Sequence, residues 1–314
     1  MLYINEKMKK CENAKIPNTF GLEAKAKTFI EYYSLDELRQ VLKEHKGERI
    51  LHIGQGSNLL FTQDFDGIIL HSGMARARFI DDGTVEAQNG LRLDDLIAQL
   101  TDMQYCGMEK LSLIPGEVGA SAVQNVGAYG CEAKDVIDRV YTIDVETLEE
   151  RVFTNAECKF GYRDSAFKHE LKGKYIVTSV VYKVKPGDAT KTREEIIATR
   201  MAKLPAVGEV GSAGSFFMNP FVPEEQANAL LTQYPDMPHF PSPQGVKIPA
   251  AWLIEQCGWK GKTLGGAQVW PKQPLVIVNA DNATAQDIID LAAQVSTSVK
   301  EKFGICISPE VNYI

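Results

Sequence analysis

Pro115-Gly116-Glu117-Val118-Gly119-Ala120-Ser121-Ala122-Val123-Gln124-Asn125-Val126-Gly127-Ala128-Tyr129-Gly130 is the stretch on which the reading turns. Four glycines, three alanines and a serine fill half of its sixteen positions. A core helix or strand is seldom built with so few large side chains. Small residues instead let a backbone come close to a bulky flat ligand. Gln124 and Asn125 add amide donors and acceptors. The other reading at this point is a close-packed connection, since glycine also marks close approach of two backbones.

A second donor-rich turn lies upstream: Gly54-Gln55-Gly56-Ser57-Asn58, at the end of a strand read over Arg49–Ile53. Consecutive backbone N–H groups with Ser and Asn side chains suit a pyrophosphate. The turn is neither G-x-G-x-x-G nor G-x-x-x-x-G-K-[ST], so neither of those fingerprints applies; by itself it also reads as a tight turn between strands. Two such segments in one unit point to an extended, phosphate-bearing cofactor.

Around them the pattern alternates. Thr28–Tyr33 reads as a strand. Ser34 caps a helix with Glu37 at the capping-box position and Leu35, Leu38, Val41 and Leu42 as its apolar face. Ile68–Leu70 and Val85–Gln88 read as strands, and Leu93, Leu96, Ile97, Leu100 and Met103 as the stripe of a second helix. Val140–Val145 and Tyr175–Val184 are β-branched strands. Lys185-Pro186-Gly187-Asp188 marks a boundary. Beyond it come helices at Arg193–Lys203, Pro223–Gln233 and Pro249–Cys257, a glycine-rich turn at Gly211–Ser215, and a strand at Leu275–Val278. Thr284 caps a long helix striped by Ile288, Leu291, Ala292, Val295, Val299 and Phe303. The order of elements is that of an α+β protein of at least two domains.

The bulk numbers agree. At 314 residues, two or three packed units are expected. A chain 44% hydrophobic and 24% charged is neither disordered nor fibrous. With net charge −7 and no long basic run, a nucleic-acid partner is not expected. Cys11, Cys106, Cys131, Cys158, Cys257 and Cys306 are scattered with no C-x-x-C pair, as expected of reduced thiols in a cytoplasm. Met1–Cys11 is charged and is not read as a signal peptide. No apolar run approaches the ~20 residues of a membrane span. No metal site is read.

Three shorter segments carry candidate chemistry. In Phe160-Gly161-Tyr162-Arg163-Asp164-Ser165-Ala166-Phe167-Lys168, Arg163 could hold a carboxylate bidentately, or be a surface arginine paired with Asp164. In Gly211-Ser212-Ala213-Gly214-Ser215-Phe216-Phe217-Met218-Asn219-Pro220 there is no G-x-S-x-G elbow. Ser215 there could donate a proton in a closed pocket, or be a turn serine. Glu310, in Ser308-Pro309-Glu310-Val311, taken alone is a solvated charge.

Taken in order, with Asn18-Thr19-Phe20-Gly21, Lys203-Leu204-Pro205 and Ala250–Gly261, these segments resemble the UDP-N-acetylenolpyruvoylglucosamine reductases (the MurB family, UDP-N-acetylmuramate dehydrogenases) over most of the chain. The resemblance implies an FAD-binding fold of the vanillyl-alcohol-oxidase (PCMH) type in two subdomains, followed by a separate α+β substrate-binding domain. It places the FAD region at 1–187, as subdomains of about 1–66 and 67–187, and the substrate domain at 188–314, with the C-terminal tail returning to the active site. It implies bound FAD, reduction by NADPH, and UDP-N-acetylglucosamine enolpyruvate as substrate in peptidoglycan precursor synthesis, by a cytoplasmic monomer.

By motif, the resemblance makes Arg163, Ser215 and Glu310 catalytic. It assigns Gly54, Gln55, Gly56, Ser57, Asn58, Pro115, Gly116, Gly119, Ala120, Ser121, Gln124, Asn125, Gly127, Ala128, Tyr129 and Gly130 to FAD. Tyr129, Arg163, Lys203, Asn219 and Gln273 fall to the substrate, and Tyr129 and Asn125 are expected to bridge flavin and substrate. Three features depart from the family. Met218 stands where many relatives carry lysine, and Ser308 and Asn312 where relatives often carry Glu and Arg. No tyrosine lies between Tyr182 and Lys203 to serve as the lid that one branch uses, so the protein either uses another lid or is trimmed at a mobile loop. Two other functions are weighed: an FAD oxidase of the same fold, which should lack the ordered set, and a non-catalytic sugar-nucleotide sensor, which has no use for an aimed proton donor.

Overall fold

The computed structural model describes residues 7–205 and 208–314; the first residues of the charged start, 1–6, lie outside the described residues. The chain divides into two compact units. Unit 1 comprises residues 1–16, 24–55 and 64–200; unit 2 comprises 17–23, 56–63 and 201–314.

In unit 1, strand Lys25–Tyr32 leads into helix α1, Leu35–Glu44, and then strand Ile50–Ile53. Both strands pair in parallel with Phe65–Ser72, giving a four-stranded sheet whose outer strand is Lys9–Lys15. The α1 stripe buries Leu38, Val41 and Leu42 against Ile30, Tyr32, Ile68 and Leu70. Ser34 Oγ accepts the Glu37 N–H as expected, but the reciprocal half of the capping box is redirected. The Glu37 carboxylate accepts from Tyr33 N at 2.7 Å and Met8 N at 3.0 Å, so it holds the residue just before strand Lys9–Lys15 instead.

The second sheet of unit 1 is antiparallel, in the order Glu150–Thr154, Ile137–Asp144, Tyr175–Lys183, Thr84–Gln88, Ala77–Asp81. Helix α2, Leu93–Asp102, and helix α3, Val118–Gln124, pack on it through Leu93, Leu96, Ile97, Val118 and Ala122. Met103 is not on the α2 stripe: it lies past the helix end and is 55% exposed. The small-residue segment is also not open throughout. Its middle is α3, and Gly127–Ala128 pairs with Cys131–Glu132 in a short hairpin. Small side chains here serve close packing as well as exposure: a Cβ on Gly119 would lie 2.9 Å from Asn89 Cβ. Lys185–Pro186 pairs with Tyr105–Cys106 of unit 1, and helix α4, Thr190–Lys203, follows.

Unit 2 is built on a four-stranded antiparallel sheet, Gly211–Ser215, Val276–Asn279, Ala267–Val269, Thr263–Leu264. Gly211–Ser215, expected as a turn, is therefore a strand. The glycines misled because Gly211 fits where a Cβ would meet Phe20 O at 2.0 Å. Helices α5 (Glu224–Gln233), α6 (Ala250–Gln256) and α7 (Ala285–Phe303) supply its core. All six residues of the α7 stripe are buried, and Thr284 with Asp287 forms a complete capping box. The last strand, Asn312–Tyr313, pairs in parallel with Leu59–Leu60.

Candidate active site

In unit 1 the cradle starts where Gly116, with φ 125°, turns the chain into α3. Its N–H donates to Gln55 Oε1 at 3.1 Å, joining the end of the Gly54 turn to the start of the helix. Val118 N–H donates to Leu91 O at 2.8 Å and Gly119 N–H to Asn89 O at 3.0 Å, which fixes α3 on the sheet. Ser121 is buried, its hydroxyl bonded to Val118 O and the Tyr182 hydroxyl. Asn125 is fully buried in a left-handed conformation. Its amide donates to Gly161 O at 2.7 Å and accepts from Lys134 N at 2.9 Å. Both side chains thus order the cradle from within. Pro115, Ala120, Tyr129 and Gly130 form its exposed side.

Asn125 also positions Arg163, because Gly161 begins the tight hairpin that carries it, closed by Gly161 N–H to Asp164 O at 2.9 Å. Arg163 has φ 55°, and its guanidinium donates to Gly127 O and lies 5.3 Å from the Tyr162 ring centre. Asp164 bonds His169 at 2.8 Å. Lys168 Nζ donates to Arg163 O and to Gln124 Oε1, at 2.8 and 3.1 Å. Gly127 is required there: a Cβ would stand 2.7 Å from Cys131 O and 3.0 Å from Arg163 Nη1.

Sequence reading passed over Arg200. Burial pushes its guanidinium below the usual arginine range, against the Tyr129 hydroxyl that hydrogen-bonds it. Its Nε is buried with no hydrogen-bond partner among the described residues. A buried donor left open beside a glycine- and alanine-lined surface suits a flat heterocycle carrying acceptor oxygens and nitrogens. The residues present therefore fit a flavin. The signal in the sequence was thin: one arginine in a helix with no buried residue.

In unit 2, Gly56 has φ 66°, and a Cβ on it would meet Pro17 O at 2.5 Å. Thr19 N–H donates to Gly56 O at 3.4 Å, and the buried Thr19 hydroxyl has no partner among the described residues. Asn58, assigned to the cofactor by motif, reaches the tail: its amide donates to Glu310 O at 3.3 Å, and its carbonyl accepts Asn312 N–H at 3.0 Å. Ser215 ends its strand, exposed, just after Gly214 with φ 69°. Phe216 and Phe217 beside it are buried anchors. Phe216 O accepts Glu310 N–H at 2.8 Å, and Met218 N–H donates to Ser308 O at 2.9 Å. The two segments run antiparallel, so the candidate acid and the candidate glutamate sit on adjacent backbones. Lys203 O accepts from Trp270 Nε1 at 3.0 Å, Asn219 Oδ1 from Ala250 N at 2.9 Å, and Gln273 Oε1 from Leu275 N at 3.5 Å. Among the described residues no group of His, Cys, Asp and Glu could hold a metal ion.

This fold and cradle define a flavin-binding α+β protein. Residues 26–147 match the family model described as an FAD binding domain. Residues 206–314 match the one described as the UDP-N-acetylenolpyruvoylglucosamine reductase C-terminal domain. The chain is 46% identical to the UDP-N-acetylenolpyruvoylglucosamine reductase of Bacteroides fragilis, over 95% of this chain and 97% of that one. It is 42% identical to that of Flavobacterium johnsoniae, over 95% and 96%. The crystal structure of the reductase from Thermus caldophilus superposes with TM-score 0.74 at 22% identity, over 98% of each chain. The chain belongs to the UDP-N-acetylenolpyruvoylglucosamine reductase family. Its fold is the expected one: an FAD-binding α+β fold followed by a separate α+β domain.

Proposed function

We propose that the protein reduces UDP-N-acetylglucosamine enolpyruvate to UDP-N-acetylmuramate at the expense of NADPH, in peptidoglycan precursor synthesis. It is an FAD-dependent oxidoreductase. Bound FAD would supply the hydride chemistry linking NADPH to the enolpyruvyl double bond, held by the residues of the cradle.

The protein residues handle charge and the proton. Arg163, oriented by the Gly127 carbonyl, faces the charge that builds on the carboxylate-conjugated enolate, where a fixed guanidinium lowers its energy. Ser215 gives its proton to the neighbouring carbon, which balances the addition of hydride and proton across the double bond. Glu310 supports that transfer. The observation that carries these roles is the Glu310 N–H bond to Phe216 O, which holds the tail beside Ser215.

Gly54–Asn58 and Pro115–Gly130 hold the flavin, with exposed Tyr129 at its substrate side and buried Asn125 supporting that side from within rather than touching a ligand, and Lys203, Asn219 and Gln273 serve the sugar nucleotide. In this reading residues 1–187, as subdomains of about 1–66 and 67–187, form the flavin region and 188–314 the substrate domain, to whose site the C-terminal tail returns. The protein acts as a monomer in the cytoplasm, in keeping with its six free thiols. Among the described residues no helix is long and apolar enough to cross a membrane.

The test is the visible spectrum, followed anaerobically. Flavin bands should bleach with NADPH and return with the enolpyruvyl sugar. Bands restored by oxygen alone would favour an oxidase and sink the substrate assignment.

A further inference from the structure

Strand Phe65–Ser72 carries one ionisable side chain into the floor of the flavin cradle. His71 Nδ1 lies 3.1 Å from Glu31 Oε1, and Nε2 lies 3.0 Å from Glu117 Oε1. Carboxylate oxygens only accept, so both ring nitrogens must carry hydrogen, which is the charged imidazolium. Phe29 stacks on the ring at 6.3 Å. Glu117 is the buried residue that opens α3, and its other oxygen would stand 3.0 Å from a Cβ on Gly54. A carboxylate thus sits beneath the turn that is read as the diphosphate nest, where an unpaired negative charge would repel the ligand.

We propose that His71 is a positioning residue of the flavin site: as an imidazolium it neutralises Glu117 and clamps the start of α3 against the Gly54 turn, so FAD binding takes up a proton wherever His71 is neutral. This rests on the flavin reading above. The other charges around the ring are accounted for. From the first strand Lys9 bonds Glu31 at 3.3 Å, and the Tyr33 hydroxyl bonds the same carboxylate. From the third strand His52 is held neutral, pushed down to about 3 by burial and by the His71 charge. Burial alone would lower His71, but Glu117 and Glu31 outweigh it and hold it above its ordinary value. A raised folded value means that the charge is present at low pH and lost as pH rises through that value.

The experiment uses the full chain freed of flavin. FAD affinity is measured by fluorescence quenching from about pH 6 to about pH 9, starting below neutrality and running well above the ordinary histidine value. Proton uptake on binding is measured by calorimetry in two buffers of different ionisation enthalpy. Wild type should weaken about tenfold across this range, the scale of one charge-assisted hydrogen bond, with measurable proton uptake at its upper end. His71→Gln should bind weakly and evenly at all pH. Glu117→Gln should also be flat, yet no weaker than wild type at high pH, because the repelling charge is gone. Thermal melts of the flavin-free variants check folding, and the wild-type proton uptake stands even if a variant fails to fold. Affinity that is flat in wild type with no proton uptake, or variants that keep its slope, overturns the proposal and leaves the flavin reading intact. No FAD binding at any pH overturns both.

Discussion

Replacing Asn89 by alanine should destabilise unit 1 by about 3 kcal/mol. Asn89 is 2% exposed and lies after strand Thr84–Gln88, between the two sheets of that unit. Its amide donates to the Tyr32 hydroxyl at 2.9 Å and to Val177 O at 2.7 Å, and its oxygen accepts from the Ser72 hydroxyl at 2.7 Å. Three buried hydrogen bonds at about 1 kcal/mol net each give the figure. Tyr32 keeps a contact with His52 Nε2 at 3.0 Å, and Ser72 Oγ still accepts Met74 N–H at 3.2 Å, so the full penalty for orphaned groups is not added. The backbone bonds of Asn89 to Thr178 and Gly119 survive the change. The assay is urea unfolding read by amide exchange in strand Tyr175–Lys183, which reports unit 1 alone. Ser72→Ala, losing its bond to Asn89 and the one it accepts from Met74 N–H, should cost about two-thirds as much. A loss under about 1 kcal/mol for Asn89→Ala would refute the reasoning, since even one buried bond accounts for that.

Other outcomes follow from the site and its supports. Ser215→Ala should leave flavin bleaching by NADPH intact while its return with the enolpyruvyl sugar slows roughly 10²-fold, as measured by stopped flow; an unchanged return rate would remove Ser215 from the mechanism. Arg193 and Asp94 form a largely buried pair at 2.7 Å. Burial opposes ionisation of Asp94, but Arg193 and the Leu113 N–H prevail and hold it below its ordinary value. Asp94→Asn should therefore cost about 2–3 kcal/mol at neutral pH in denaturant titrations, because Arg193 loses its countercharge. A depressed carboxylate stabilises above its unfolded pKa, so this difference should shrink as pH falls through the folded value.

Where spacing and caps speak together, as in α7 with its six-residue stripe and Thr284–Asp287 box, the sequence reads directly into structure. Composition was a poorer guide. Glycine at 211 and 119 marks crowding by a neighbouring backbone or side chain, and so concealed a strand and a helix. The strand Lys9–Lys15 left no signal because six of its seven residues are exposed and polar contacts, not apolar alternation, hold it. The motifs that carry the proposed catalytic residues stood out through their order along the chain. Asn89, Arg200 and His71 did not, because what each does is set by partners tens of residues away, such as Val177 or Glu117. A burial pattern can flag such residues only once the sheets are assembled.

The left-handed backbone of Arg163 has an evolutionary consequence. An L-residue with a side chain pays about 1–2 kcal/mol there that glycine does not. Arg163→Gly would relieve that cost but lose the guanidinium bond to Gly127 O, worth a similar amount, so its melting point should stay close to that of wild type. On the role proposed for Arg163, selection for turnover is what holds an arginine where the backbone itself favours glycine.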